Sequence, residues 1–190
     1  MASRTQGLTN HRLVIGIAGR IGAGKTSAAK HISSTFNFQY LRYSEVLAAW
    51  RAAGPDNKAE LQSMGWDVME KGLQPELNRR LIEKIRPGSS AVVDGLRHPV
   101  DHDSLSAAFQ SSFQLIYLDA DLQTRWAHVR GRGRHSTFEQ FQAADSHPVE
   151  QNIELLRARS SLTIPNDGSL PELFSKMDSA IERFRKEGRA

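Results

Sequence analysis

The chain has 190 residues, 39% of them hydrophobic and 24% charged, with a formal net charge of +4. That length and balance fit one globular domain with its own core, and a modest positive surplus suits anionic partners without singling out nucleic acid. There is no cysteine, which excludes disulfides and thiolate metal sites, and no apolar run approaches the ~20 residues of a membrane span.

Residues 1–10 are polar and lack a hydrophobic signal core. They are free of acids and carry Ser3 and Arg4, as a short transit peptide does, but a flexible tail is the expectation, with a cytoplasmic location by default. Residues 11–190 are expected to form one domain, without repeats or an interdomain linker.

The first predicted strand is Leu13–Ala18. It runs into Gly19-Arg20-Ile21-Gly22-Ala23-Gly24-Lys25-Thr26, a complete G-x-x-x-x-G-K-[ST] phosphate loop, and then into the helical stretch that opens with Ser27. A buried strand ends, a glycine-rich turn exposes backbone N–H groups, and a helix N-terminus aims its dipole at the same spot. The residues of this loop and Ser27 are therefore expected to bind a nucleoside triphosphate. Lys25 is expected to reach the β- and γ-phosphates, and the Thr26 hydroxyl to ligate Mg²⁺. The competing reading is a glycine-rich turn that binds nothing.

The second predicted strand, Phe38–Arg42, leads into Tyr43-Ser44-Glu45. Ligands of parallel α/β sheets bind beyond the carboxyl ends of the strands, so Arg42, Ser44 and Glu45 are candidates for the acceptor side. Glu45 has three possible tasks there: orienting an acceptor hydroxyl, acting as a base, or holding a Mg²⁺-bound water. The alternative is a helix start with Ser44 as N-cap and Glu45 favouring the dipole. Helical spacing of Leu61, Met64 and Val68, and of Leu77, Leu81 and Ile85 after Pro75, predicts two helices between residues 56 and 86. Trp66 lies on the first of them, where an acceptor base is able to bind.

The third predicted strand, Ala91–Asp94, ends in a carboxylate, as Mg²⁺-organising strands of triphosphate enzymes do. Gly95 allows close backbone approach, and Arg97 is placed to clamp an acceptor phosphate. The alternative for Arg97 is a surface pair with Asp101 or Asp103. After the fourth strand, Phe113–Leu118, come Arg125, Arg130, Arg132 and Arg134, with Gly131 and Gly133 interleaved. Arginines on a glycine-rich segment suit the charge that spreads over a phosphoryl group in transfer. A solvated basic helix end and a nucleic-acid patch are the competing readings. Arg125, early in its helix, is expected to stack on the base.

The fifth predicted strand, Leu162–Ile164, is followed by Asn166-Asp167-Gly168-Ser169. Asn166 and Gly168 are candidates for contact with adenine, and equally for a turn. Ser169 and Glu172 form a capping-box pattern ahead of one apolar stripe from Leu170 to Phe184. The seven histidines make no zinc pattern. The alternation of strands and helices predicts an α/β fold with a five-stranded parallel sheet covered on both faces.

From about residue 13 to 184 the chain resembles the P-loop kinases of the nucleoside monophosphate kinase group, with deoxynucleoside monophosphate and dephospho-CoA kinases included. The phosphate loop alone is common to all P-loop NTPases. The narrower likeness is the series Tyr40 to Leu47, Leu61-Gln62-Ser63-Met64-Gly65, Val92 to Arg97, and Thr163 to Leu170. Arg97 stands three residues after Asp94, not four as in the D-G-F-P-R of adenylate kinases, and the guanine motif N-K-x-D is absent. The resemblance implies a three-layer P-loop NTPase fold with a helical acceptor-binding insertion (44–86) and an arginine-bearing lid (121–147). It implies ATP and Mg²⁺ as cofactors, with Lys25, Glu45, Asp94, Arg97, Arg130 and Arg134 in the chemistry and Thr26 and Asp94 at the metal. The expected partner is a small nucleotide-like acceptor, for a monomer or homodimer not bound to membrane. Two further readings stay open: a kinase acting on a hydroxyl within DNA or RNA, and a nucleotide-binding switch with weak hydrolysis only.

Overall fold

The structure is a computed structural model and describes residues 12–52, 58–130 and 137–188. All five predicted strands form: β1 Val14–Ala18, β2 Gln39–Arg42, β3 Ala91–Asp94, β4 Phe113–Asp119 and β5 Leu162–Pro165. Every pairing is parallel, and the spatial order is β2-β3-β1-β4-β5. The order places β1, which feeds the phosphate loop, at the centre, where neighbours cover both its edges.

Helices join the strands. They are α1 Lys25–Phe36, α2 Tyr43–Arg51, α3 Lys58–Glu70, α4 Gln74–Glu83, α5 Pro99–Phe109, α6 Leu122–Arg130, α7 Phe138–Asp145, α8 Pro148–Arg157 and α9 Leu170–Glu187. Side chains alternate along each strand, so one sequence feeds two cores. Ile15, Ile17, Ile116 and Leu118 face α1 and α9 and meet Ile32, Met177, Ile181 and Phe184. Val14, Ala18, Val93 and Leu115 face the other way, against Leu47 of α2, Leu81 of α4, Leu105 of α5 and Ile153 of α8. Both faces are covered, which gives the three-layer α/β architecture and explains why the inner strands β1 and β3 are buried throughout. No described helix is long and apolar enough to cross a membrane.

Local chemistry explains the element ends. The Ser169 hydroxyl and the Glu172 carboxylate cap α9 reciprocally, as the pattern predicts. The apolar stripe begins at Leu173, because Leu170 is 52% exposed. Ser44 differs from its expectation. Arg42 has extended backbone and is itself the N-cap of α2, so the helix starts at Tyr43 and Ser44 lies inside the first turn. The N-cap position therefore falls two residues ahead of Ser44, and no side chain caps this helix. Glu45 keeps its place in that first turn, near the positive end of the dipole.

Strand register sets up the site. Arg42 and Ile17 both stand level with Asp94, and Ala18 stands level with Tyr117. Three strand ends from distant parts of the sequence therefore open at one rim.

Candidate active site

The loop from Gly19 to Thr26 wraps tightly because its glycines adopt conformations closed to other residues. Gly24 has φ +95°, and a Cβ there would lie 2.6 Å from the Asn166 amide. Gly22 has φ +84° and is backed by the Arg125 carbonyl. Gly24 is the N-cap of α1, whose first turn holds no acidic side chain. The first amides of that helix have no intrahelical acceptor, and no carboxylate on the helix itself meets its dipole.

Side chains hold the opposite face of the loop. Lys25 Nζ donates to the Gly19 carbonyl at 2.5 Å and to the Arg20 carbonyl at 2.9 Å. Arg125 Nη1 donates to the Ile21 carbonyl at 3.1 Å. His128 Nδ1 lies 2.9 Å from the Gly22 carbonyl, and Asn166 Nδ2 donates to the Ala23 carbonyl at 3.0 Å. Five successive carbonyl oxygens are thus engaged, which holds the peptide planes of the loop in a tight wrap.

Arg125, expected from sequence at a base, is instead buried at 5% exposure. Its guanidinium forms a two-pronged pair with Asp145, which also takes Arg20 at 3.1 Å. Phe141 stands over the guanidinium, 5.7 Å from its ring centroid. The arginine braces the loop from α6, and Asp145 at the end of α7 neutralises it. The two residues lie 20 apart, so the sequence carries no local sign of the pair. Asn166 and Gly168 come together beside the loop. With Gly24, Ser27, His128 and Leu170 they line a hollow of about 200 Å³ beside the loop.

Thr26 and Asp94 meet directly: the threonine hydroxyl donates to the Asp94 carboxylate at 2.8 Å. The Tyr40 hydroxyl donates to the same oxygen at 3.0 Å, and Arg42 Nε stands 3.8 Å from it. Burial foremost, then the Asp94 charge, raises the Tyr40 pKa far above its ordinary value, so this phenol remains a donor. A hydroxyl and a buried carboxylate are hard oxygen donors and fit a magnesium ion. Among the described residues no group of three or more His, Cys, Asp or Glu side chains gathers around a metal position. A small ion held by two protein oxygens plus phosphate needs no such cage.

At the same rim, Arg42 also lies 3.5 Å from Glu45, whose side chain is 59% exposed. The Arg97 guanidinium pairs with neither Asp101 nor Asp103. It bonds Glu150 of α8 at 3.2 Å, while the Arg97 backbone N–H donates to Asp101. Asp101 and His98 together cap α5, and Asp103 pairs with Arg159. The other Glu150 oxygen accepts the Ile21 N–H at 3.0 Å. Glu150 is 1% exposed, and sequence reasoning passes over it because it stands 129 residues from Ile21. Trp66 stands edge-on to His147 with ring centroids 5.3 Å apart, and the His147 carbonyl accepts the Glu150 N–H at 2.8 Å. Arg130 is exposed at the end of α6, and Arg132 and Arg134 lie outside the described residues.

The chain matches no family model. It is similar to a UPF0200 protein of Aeropyrum pernix, 24% identical over 169 residues that cover 86% of this chain and 89% of that one. Among solved structures it is similar to a gluconokinase from Sinorhizobium meliloti, with a TM-score of 0.63 and 12% identity, over 94% of this chain and 96% of that one. It is also similar to a shikimate kinase from Acinetobacter baumannii solved with shikimate, with a TM-score of 0.61 and 14% identity, over 92% and 95% of the two chains. At these identities the likeness is one of architecture, and that architecture is the P-loop kinase fold.

Proposed function

We propose that the protein is an ATP- and Mg²⁺-dependent phosphotransferase that passes a γ-phosphoryl group to a nucleotide or nucleotide-like small molecule. The observation that supports this best is the loop itself. Its five carbonyls are held by side chains, and the Thr26–Asp94 pair stands at its end. A turn that binds nothing has no need of such bracing. When bound, Mg²⁺ and ATP supply the phosphoryl group and a divalent charge that offsets the negative charge shared among its oxygens.

The chain's own residues position and neutralise. The loop amides and Lys25 hold the polyphosphate, with Arg125, His128 and Asn166 keeping the loop in shape. Thr26 and Asp94 hold the metal, and Tyr40 fixes the Asp94 carboxylate. Ser27, Asn166 and Gly168 border the hollow assigned to the base. Arg42, Ser44, Trp66 and Arg97 serve the acceptor, and Arg130 contributes positive charge from the end of α6. Glu45 takes the proton of the acceptor hydroxyl on a carboxylate oxygen. Its exposed side chain stands in the first turn of α2 beside Arg42, within reach of solvent and of a ligand at the rim.

Glu45→Gln separates the base from the helix cap. Turnover is expected to fall about a hundredfold with an unchanged melting temperature, within the range for general-base groups. A lower melting temperature with normal turnover assigns Glu45 to capping alone.

The acceptor is found by incubating the protein with labelled ATP and Mg²⁺ against a panel. The panel holds nucleoside and deoxynucleoside monophosphates, dephospho-CoA and DNA. Shikimate and gluconate join it, because kinases named for them share the architecture. Label on one nucleotide-like compound is the expected result. Label on DNA alone, or free phosphate with every compound, contradicts the proposal.

A further inference from the structure

Glu150 is a buried charged residue at the loop that the transfer scheme leaves without a task. It sits in the first turn of α8, and its own backbone N–H bonds the His147 carbonyl at 2.8 Å. Its carboxylate joins the two halves of the site, taking the Ile21 N–H with one oxygen and Arg97 with the other. Among the charges around Lys25, Glu150 does most to raise that ammonium's proton affinity, more than Asp94. So one anion engages a loop amide, lies in the field of the loop lysine and holds the acceptor-side arginine. These are the donors that an incoming polyphosphate and an anionic acceptor need.

We propose that Glu150 is an internal occupant of the phosphate cradle, and that a bound triphosphate displaces its carboxylate and so frees Arg97 for the acceptor. This rests on the proposed binding of triphosphate. A carboxylate and a phosphoryl oxygen are both anions that accept from the same donors, and like charges sharing one site repel. Displacement is confined to the start of α8, because Ile153 and Leu156 hold the rest of the helix in the core and Glu154 accepts from Tyr117 at 3.0 Å. The consequence is a threshold. A ligand must bring enough negative charge, with its metal, to replace an anion already in place. Arg97 is then released only once the donor nucleotide is seated, which imposes an order on the two substrates.

Glu150→Gln tests this, since glutamine keeps a carbonyl for the Ile21 N–H and removes only the charge. The full-length wild type and variant are titrated calorimetrically with ATP and Mg²⁺ without acceptor, and their folding is compared by thermal melting. The variant is expected to bind on the order of tenfold tighter, as when a competing closed state is removed. Equal or weaker binding by a folded variant overturns the inference and leaves the proposed kinase standing. If neither protein binds, both fall. If the variant does not fold, amide exchange on the wild type decides. With a non-hydrolysable ATP analogue, residues 19–27 are expected to gain protection while residues 146–152 lose it. Gain in both segments overturns the inference.

Discussion

Lys25→Ala is expected to lower kcat/KM by at least about a thousandfold while the protein stays folded, the scale on which a charged donor at a transfer site acts. In the structure the ammonium bonds the Gly19 and Arg20 carbonyls, so it is already held beside the loop by the loop. Those two bonds fold the side chain back against the loop. Thermal melting separates a folded variant from a collapsed one. Near-normal turnover in a folded variant removes Lys25 from the chemistry.

The same residue sets a pH dependence. Burial pushes the Lys25 pKa down to about 8, with Glu150 opposing the shift and Arg97 adding to it. Below that pH the group is protonated and attracts phosphate; above it the charge is lost. Affinity for triphosphate is therefore expected to fall as pH rises through about 8, with protons taken up on binding in that range. Lys25→Ala flattens this part of the profile. A wild-type affinity that is constant from pH 7 to about 9.5, beyond the titration range set by that pKa, contradicts the assignment.

Asp94→Asn is the second large effect expected. Thr26 and Tyr40 donate to one oxygen of Asp94, and an asparagine carbonyl can accept from both. The fold therefore survives while the negative charge disappears. Turnover is expected to drop by about a thousandfold, comparable to the loss of a principal electrostatic group. The Mg²⁺ concentration for half-maximal rate is expected to rise at least about tenfold, the scale of an altered metal environment. Titrating Mg²⁺ at saturating ATP measures both. An unchanged Mg²⁺ requirement moves the metal away from Asp94.

The phosphate loop and the five strands are legible from sequence because their physics is local. A glycine at position 24 is required by its own φ, and the inner strands β1, β3 and β4 announce themselves by nearly continuous apolar runs that are buried in the fold. The cap of α9 is legible for the same reason, since Ser169 and Glu172 are three residues apart. Ser44 misleads because the extended Arg42 already occupies the N-cap position, so the helix begins at Tyr43 and Ser44 is helical. Arg125 misleads differently. Its position after a strand end suits a ligand, but Asp145 reaches it from α7 and makes it a brace. Tyr40 and Glu150 are invisible in one dimension. The first depends on β2 lying beside β3, and the second on α8 folding back over a loop at the other end of the chain. In each case the missing information is tertiary pairing between side chains whose sequence separation hides it.

Calorimetric titration of the wild-type protein with ATP in the presence of Mg²⁺ tests the central claim most directly. Saturable binding at a single site is the predicted result, reduced strongly by Lys25→Ala. Heat no greater than dilution, with ATP and with every other nucleoside triphosphate, contradicts the account.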